Sequence, residues 1–294
     1  SVIRLGYDQD RPMAARVPRP LAEYPELGRT DAAIAMLEEY AAGDAPFCLQ
    51  LNYFGPHYPH YLPEPYHSMY DPAQIPPWGN FEARPSVPHH GYRWLRERWC
   101  APTDQWSHYA EIMAAYYGQV TLLEHEIARV LEALDRLELT ESTLVIFASD
   151  HGVMGGVNGL LQKGAVAYDE LYRVPLVARW PGRIEAGTRC DQMVNLFDLM
   201  PTMLEVGGVQ PAAALDARSA LPLMRGEIAA DWPDEVFCEY LADQAGDMEL
   251  KILRTKTHKL AVNLSDADEL FDLEADPGET TNRIDDPAYR QVRD

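Results

Sequence analysis

Several side chains that could do chemistry together lie between Asp150 and Lys163, a stretch that reads DHGVMGGVNGLLQK. The Asp150 carboxylate is a hard oxygen donor for calcium, magnesium or manganese, whereas the neutral imidazole of His151 suits manganese or zinc better than calcium. Lys163 adds a compact positive charge that can bind a tetrahedral oxyanion. Four glycines in the stretch let the backbone bend close to a bound ion. The stretch therefore indicates half of a metal-assisted, anion-cleaving site.

The element that must position Asp150 and His151 is the run before them. Residues Thr143 to Ala148 (TLVIFA) are apolar and rich in β-favouring types, which predicts a strand buried on both faces of a sheet. In open α/β sheets, ligands bind beyond the carboxyl ends of the strands. The alternative for Asp-His-Gly alone is a surface turn that ends a strand, but the strand, the glycines and the lysine together favour a functional site.

A second patch begins with the predicted buried strand Phe47–Phe54 (FCLQLNYF), which runs into Gly-Pro-His57-Tyr-Pro-His60. An imidazole that titrates near neutrality can protonate the oxygen of a departing alcohol, and two prolines stiffen the turn that holds it. In the alternative interpretation, the three histidines are ordinary polar residues of a proline-rich surface loop: His57, His60 and His67. We keep that alternative for His60 and His67 and prefer a catalytic role for His57.

The block Ser149–Gly182, which includes Tyr168–Val177 (YDELYRVPLV) and Trp180-Pro-Gly, resembles the second signature region of the type I sulfatases of the alkaline phosphatase superfamily. The resemblance implies that Asp150 and His151 ligate a divalent cation. It also implies that Lys163, thirteen positions after Asp150, contacts the sulfate group. The Pro-His-x-Pro turn is similar to the family's catalytic turn, which implies that His57 is the catalytic histidine.

The resemblance implies a fold, a cofactor and a mechanism. The expected fold class is α/β, an alkaline-phosphatase-like three-layer α/β/α sandwich that is partial here, with a small antiparallel C-terminal subdomain. One divalent cation is expected, calcium first, with magnesium or manganese as alternatives. The family's nucleophile is a formylglycine, whose hydrate attacks sulfur while the cation and Lys163 stabilise the oxyanions. His57 then assists departure of the alcohol.

The family's nucleophile motif, Cys- or Ser-x-Pro-Ser-Arg, does not occur in this sequence. The nearest match, Cys100-Ala-Pro-Thr-Asp104, has an acid where the family has arginine, and an acid there would repel the anion. We therefore interpret the chain as the C-terminal portion of a longer enzyme, with formylglycine expected in the missing N-terminal region. Residues 1–210 are assigned to the sulfatase α/β domain and residues 211–294 to a small C-terminal α+β subdomain.

Composition excludes some partners. The formal net charge of −21 argues against nucleic acid, because neutralising phosphates requires basic patches. No apolar run approaches the roughly 20 residues that cross a bilayer. The expected partner is a small-molecule or saccharide sulfate ester, which an acidic protein must bind through positive charge concentrated by a metal ion and Lys163. Cys48 and Cys238 lie in apolar, strand-like runs and are predicted to be buried thiols.

Periodicity predicts the remaining elements. Apolar residues recur at helical spacing from Trp106 to Leu137, and a shorter helix is predicted over Asp31–Ala42 with Thr30 as its cap. Gly55–Pro102 is predicted to be a long, aromatic-rich loop that forms an ordered wall of a cleft. Pro211–Glu227 is predicted to be a linker.

The C-terminal segment is predicted to be a hairpin followed by a strand and an acidic turn. Lys251–Arg254 and His258–Val262 form the hairpin strands, with Thr255–Thr257 turning between them. Glu269–Asn282 resembles the family's closing motif, and its acidic residues are interpreted as solvated turn positions.

These observations favour a metal-dependent sulfuric ester hydrolase of which this chain carries half of the active site, so that the fragment alone is expected to be inactive. The rival within the same superfamily is a phosphonate monoester or phosphodiester hydrolase, because both anions are tetrahedral and the discriminating residues lie upstream. The rival from another class is a catalytically inert fragment or a binding module.

Overall fold

The computed structural model describes residues 3–4, 12–85, 88–99, 105–227, 230–241, 248–264 and 266–294. The chain forms two compact units. The first contains residues 1–81, 96–143 and 159–161, and the second contains residues 82–95, 144–158 and 162–294. The sequence-based boundary between residues 210 and 211 stays a prediction.

The described residues form nine strands and seven α-helices, with short 3-10 turns between them. The strands are β1 (Ile3–Arg4), β2 (Pro12–Arg16), β3 (His60–Leu62), β4 (Val145–Ala148), β5 (Leu176–Arg179), β6 (Glu235–Leu241), β7 (Glu249–Thr255), β8 (His258–Asn263) and β9 (Glu269–Asp272). The helices are α1 (Pro25–Ala41), α2 (His90–Trp99), α3 (Trp106–Arg136), α4 (Asp169–Tyr172), α5 (Leu199–Val206), α6 (Leu221–Met224) and α7 (Arg290–Arg293).

Helix α3 is the centre of the first unit and confirms the helix predicted from Trp106. Within its apolar stripe, Tyr109, Ile112 and Leu122 are completely buried, at 0% exposure. Leu122 and Ala115 pack in one core cluster with Leu62 and Tyr66 of the segment before the helix, and α1 also packs against α3. Tertiary packing of this stripe, rather than intrinsic propensity, stabilises a helix of this length.

Helix α1 begins earlier than predicted, and Thr30 is not its cap. The helix starts at Pro25, whose fixed φ and missing N–H suit the first helical position. Thr30 lies inside the helix, where its hydroxyl donates to the Glu26 carbonyl at 3.1 Å. The prediction was wrong because Thr and Ser hydroxyls can bond to the carbonyl four residues back as well as cap a helix.

The strand predicted over Phe47–Phe54 has no partner strand among the described residues. Its residues alternate between half-buried and exposed positions, which is the period of a strand. Phe54 is 57% exposed and Cys48 is an exposed free thiol, so the predictions of a buried strand and of a buried Cys48 were both wrong. Cys238 is half-buried.

The aromatic-rich segment after residue 55 has more regular structure than the predicted loop. It contains β3, which pairs in parallel with β2, then two 3-10 turns and α2. His60, interpreted from sequence as a surface residue, is completely buried, and its Nδ1 lies 2.7 Å from the side-chain oxygen of Gln119. These elements are difficult to predict from the sequence because each is only three to ten residues long. Such short runs among many prolines show no clear helical or strand period.

In the second unit, β4 confirms the strand predicted before Asp150, although its surroundings differ. Within the described chain β4 pairs with β5 alone, in antiparallel register, so that Phe147 lies opposite Val177. Phe147 and Val177 are 45% and 59% exposed. The prediction that this strand is buried on both faces was therefore wrong for the residues described.

The C-terminal sheet has the strand order β6-β7-β8-β9, and all its pairings are antiparallel. Strands β7 and β8 confirm the predicted hairpin. Buried and half-buried residues alternate along β8, so Lys259, Ala261 and Asn263 share the buried face. This alternation is the strand period of two, with one face packed on the core.

The predicted linker Pro211–Glu227 is partly structured and docked. It contains α6, whose Leu221 and Leu223 are buried. The Thr202 hydroxyl of α5 accepts a hydrogen bond from the Ala220 amide at 2.8 Å, and the Asp198 carboxylate accepts one from the Arg218 amide at 3.0 Å. A short helix punctuated by proline carries too few apolar residues to be distinguished from a linker by periodicity.

Two carboxylates of the closing motif are buried, which corrects their interpretation as solvated turn residues. Glu269 and Glu279 are each only 3% exposed. Glu269 lies 3.5 Å from the Nε2 atom of the buried His89. Burial, reinforced by the neighbouring Glu279 carboxylate, raises the pKa of Glu269 to about 7.

No helix within the described residues is both long enough and apolar enough to span a membrane.

We expect Gly118→Ala to lower the free energy of unfolding by about 1–3 kcal/mol, the usual cost of overpacking. A Cβ at Gly118 would lie 2.1 Å from the Tyr66 carbonyl oxygen, and backbone cannot move aside as a side chain can. The matched control is Gly28→Ala in α1, which meets nothing within 4 Å and should stabilise by about 0.5–1 kcal/mol. Urea unfolding followed by tryptophan fluorescence measures both, and equal effects would contradict the packing argument.

We expect the Glu269 carboxyl to contribute a loss of stability as pH rises from about 4.5 to about 7, because folded Glu269 keeps its proton until about pH 7 whereas the unfolded carboxyl loses it near its ordinary value of 4.5. Glu269→Gln, which mimics the protonated acid, should remove roughly 3 kcal/mol of that loss. Urea unfolding at pH 5 and pH 7.5 checks this. Glu235→Gln, at an exposed position, is the control. Identical pH profiles for wild type and Glu269→Gln would disprove the assignment.

Candidate functional site

The loop that leaves β4 carries the predicted metal ligands at its start and the predicted anion contact at its end. Asp150 is the second residue after β4, and its side chain is 85% exposed. The following residues turn inward, so that Met154 to Gln162 are all buried. Gly155 and Gly156 have positive φ angles of 56° and 110°, which a side chain would oppose. Lys163 follows this buried run and lies close to His151 again.

The structure brings Asp150, His151 and Lys163 together. The Lys163 Nζ atom lies 2.6 Å from His151 Nε2, and an Asp150 carboxylate oxygen lies 3.5 Å from the same nitrogen. The other Asp150 oxygen accepts a hydrogen bond from the His151 amide at 2.9 Å. The predicted local cluster of a carboxylate, an imidazole and an ammonium group is thus present within the second unit.

The hydrogen bonds of His151 define its tautomer. A lysine ammonium group donates and cannot accept, so Nε2 is the acceptor toward Lys163. Nδ1 therefore carries the proton and donates to the Gly152 carbonyl at 2.8 Å. A ring N–H bonded to a backbone carbonyl is the usual second-shell arrangement of a metal-ligating histidine, whose other nitrogen presents its lone pair to the cation.

The donor groups of Asp150 and His151 are of types that bind divalent cations. Asp150 contributes an exposed carboxylate, and His151 contributes an imidazole whose Nδ1 is oriented by backbone. Across the residues that the structure describes, no group of three or more His, Cys, Asp or Glu side chains could hold a metal ion. Because hard cations take six or more ligands, this pair would be a partial ligand set.

Gly152 anchors the loop on α4. Its amide donates to the Leu171 carbonyl at 2.8 Å. A Cβ at this position would lie 1.8 Å from the Glu170 carbonyl oxygen, which only glycine avoids. The same Gly152 residue accepts the His151 ring N–H, so the contact with α4 also fixes the imidazole.

A wide groove of about 2520 Å³ in the second unit includes Asp150, His151 and Lys163 in its lining. Basic residues outnumber acidic ones along this lining, nine to five, although the whole chain has a net charge of −21. The basic residues are Lys163, Arg173, Arg179, Arg183, Arg189, Arg225, Arg254, Lys256 and Lys259. The groove is therefore a local concentration of positive charge suited to an anion.

His57 lies in the first unit, in the turn after segment 47–54. Its Nδ1 lies 2.6 Å from the Tyr58 carbonyl and donates to it, which leaves Nε2 for other partners. The ring packs against Phe54 with 4.9 Å between centroids and is half-buried. The predicted convergence of His57 with the Asp150 cluster stays a prediction. Cys100, which was rejected as the nucleophile, lies outside the described residues.

The sequence alone did not reveal the charged side chains that bind the start of α4. Asp169, Arg254, Lys259 and Glu279 form an ion cluster there. One signal could have revealed it: the alternation of β8 places Lys259 on the same face as Ala261, and a lysine on the apolar face of a strand requires a buried partner.

The fold is similar to that of solved phosphonate hydrolases. The phosphonate monoester hydrolase of Agrobacterium radiobacter superposes with a TM-score of 0.83 at 26% identity, over 95% of this chain and 60% of that one. This likeness confirms the predicted class, an alkaline-phosphatase-like α/β fold with an antiparallel C-terminal sheet.

Residues 19–209 match the sulfatase family, and residues 156–294 match the family described as N-sulphoglucosamine sulphohydrolase, C-terminal. Because the first match covers more than half of the sequence, the chain belongs to the sulfatase family.

Two curated relatives illustrate the range of the family. The uncharacterized sulfatase YidJ of Escherichia coli is 29% identical over 280 residues, which are 90% of this chain and 52% of that protein. The N-acetylglucosamine-6-O-sulfatase of Bacteroides thetaiotaomicron is 30% identical over 181 residues, which are 59% of this chain and 32% of that protein. The chain spans about half the length of the first curated relatives that it matches.

Proposed function

We propose that this chain supplies part of the active site of a metal-dependent sulfuric ester hydrolase that cleaves a sulfate monoester. The observation that carries the proposal is the cluster of Asp150, His151 and Lys163 at the lining of a groove rich in basic side chains. Membership of the sulfatase family supports the reaction class.

In the proposed site, Asp150 and His151 hold the divalent cation, calcium first, with magnesium or manganese as alternatives. The cation supplies Lewis-acid stabilisation of charge on the ester oxygens when it is bound. The formylglycine nucleophile and the remaining metal ligands are proposed to come from sequence beyond these residues. Support for this comes from the relatives' greater length and from the absence of a Cys- or Ser-x-Pro-Ser-Arg motif.

Lys163 is proposed to bind a non-bridging oxygen of the ester through its ammonium group. Its Nζ atom lies 2.6 Å from His151 Nε2, so the ammonium group lies beside the proposed cation position. When Nε2 ligates the cation, its lone pair no longer accepts from Lys163, and the ammonium group donates to the ester oxygen instead. A donor held close to the cation stabilises negative charge that develops on the ester.

His57 is proposed as the general acid that protonates the departing alcohol oxygen. Its Nδ1–H is bonded to the Tyr58 carbonyl, so proton transfer would occur at Nε2. A positioned acid of this kind contributes roughly 100- to 10,000-fold in rate. The role requires His57 and Lys163 to meet at one ester group.

The proposed substrate is a small-molecule or saccharide sulfate ester. The name of the Bacteroides thetaiotaomicron relative describes a sulfatase acting on a sulfated amino sugar, which supports the saccharide class. A phosphonate monoester hydrolase is the second candidate, favoured by the similarity to the Agrobacterium radiobacter enzyme.

To test the function, the protein expressed from its complete coding sequence is assayed with an aryl sulfate and with an aryl phosphonate monoester. We expect turnover with the sulfate to be the faster, and Lys163→Ala to lower it roughly 100- to 1000-fold, the usual cost of one lost oxyanion donor. Lys251→Ala, which removes a half-exposed lysine of β7, is the control. Faster phosphonate cleavage would select the second candidate, no activity would favour an inert protein, and wild-type turnover in Lys163→Ala would remove Lys163 from the mechanism.

We expect Asp150→Ala to abolish stoichiometric binding of the divalent metal, because the variant loses the hard oxygen ligand. Elemental analysis of the purified protein, before and after dialysis against calcium, measures this without any assay of activity. Asp216→Ala, at an exposed position, is the control. An unchanged metal content in Asp150→Ala would contradict the assignment of this ligand.

A further inference from the structure

The ion cluster at the start of α4 is connected to the Asp150 loop through a short chain of contacts. The first contact is at Gly152, whose amide donates to the Leu171 carbonyl and where an added Cβ would lie 1.8 Å from the Glu170 carbonyl oxygen. The His151 ring N–H is bonded to the Gly152 carbonyl. A shift of α4 would therefore move Gly152 and, with it, the imidazole.

Helix α4 is fixed at its first residue, Asp169. Arg254 Nε and Nη2 bind the Asp169 carboxylate in bidentate geometry, with distances of 3.0 and 2.8 Å to its two oxygens. Lys259 Nζ lies 2.9 Å from the Oδ1 atom. The Asp169 amide donates to Glu279 Oε2 at 2.7 Å. Asp169 is thus bound by β7, by β8 and by the closing motif.

Lys259 and Glu279 of the cluster are buried, whereas Asp169 and Arg254 are half-buried. Lys259 is 1% exposed and also contacts Glu279, so that two cations, Arg254 and Lys259, face two carboxylates. Burial alone would raise the pKa of Asp169, but hydrogen bonding to Arg254 and the charge of Lys259 lower it to about 2. The Asp169 carboxylate is therefore charged throughout the physiological range.

Stability alone does not explain such a cluster. Removing ionic groups from water is costly, and well-packed apolar side chains at similar sites are often as stabilising or more so. What ion pairs provide and apolar contacts do not is direction, because a bidentate guanidinium holds a carboxylate at a defined angle. The cluster therefore has the chemistry needed to hold α4 in one orientation.

We propose that Arg254, Lys259 and Glu279 are positioning residues for the active site: by fixing Asp169 at the start of α4, they set the position of Gly152 and hence of Asp150 and His151. This inference rests on the proposed function for its catalytic meaning, although the mechanical link itself does not. None of the three residues is proposed to touch the substrate.

The test compares Lys259→Met, which keeps the length of the side chain and removes its charge, with Asp169→Asn. The first readout is hydrogen–deuterium exchange of the Gly152 amide, measured at a temperature where each variant is folded. We expect exchange at least about 10-fold faster than in wild type, because the opening of a hydrogen bond reports local stability. Lys251→Met, which breaks half-exposed ion pairs with Glu239 and Glu249 on the same sheet, should leave it unchanged.

The second readout is calcium affinity by calorimetry, for which we expect a loss of roughly 10- to 100-fold, as for other outer-shell partners of metal ligands. Folded Lys259→Met and Asp169→Asn variants with wild-type exchange and wild-type affinity would overturn the inference and leave the cluster a stabiliser of the sheet. If Lys259→Met does not fold, Asp169→Asn and Arg254→Gln decide the question. Wild-type protein that binds no calcium would count against the proposed function, while the exchange experiment would still decide the mechanical link.

Discussion

The close approach of Gly152 to α4 is the constraint on which the candidate site depends. With 1.8 Å between a hypothetical Cβ and the Glu170 carbonyl, no other residue type fits without moving backbone. The approach lets Gly152 donate to Leu171 and accept from His151 at once. Met154 to Gln162 of this loop are buried, and the Gly152 contact holds the residues before them against α4.

Electrostatics complement that geometry. A chain with a net charge of −21 repels anions at long range, yet its groove presents more basic than acidic residues. Some of these cations are already neutralised, as Arg254 and Lys259 are by Asp169 and Glu279. Lys163 differs, because its described hydrogen bond is to a neutral imidazole and leaves the ammonium charge uncompensated by that partner. The distribution favours an anion held at a defined place rather than attraction by the whole surface.

Local sequence patterns predicted the parts of this fold that local interactions determine. Helix α3 and the β7–β8 hairpin follow from periodicity and turn residues. The predictions were wrong where contacts with residues distant in the sequence determine strand pairing or burial. Whether 47–54 is a paired strand depends on neighbours elsewhere, and whether Glu269 and Glu279 are solvated depends on which segments cover them. Residue type alone specifies neither.

The proposed roles also account for the similarity of this chain to hydrolases of two different esters. Lys163 and a cation at Asp150 would bind oxygen atoms and negative charge, which tetrahedral sulfate and phosphonate groups share. Neither interaction involves direct contact with the central sulfur or phosphorus atom. The portion of the active site in this chain would therefore be common to both activities, and discrimination would fall to the groups that contact the nucleophile and the leaving alcohol. The fold likeness to a phosphonate hydrolase and the membership of the sulfatase family are both compatible with the proposed anion-binding role.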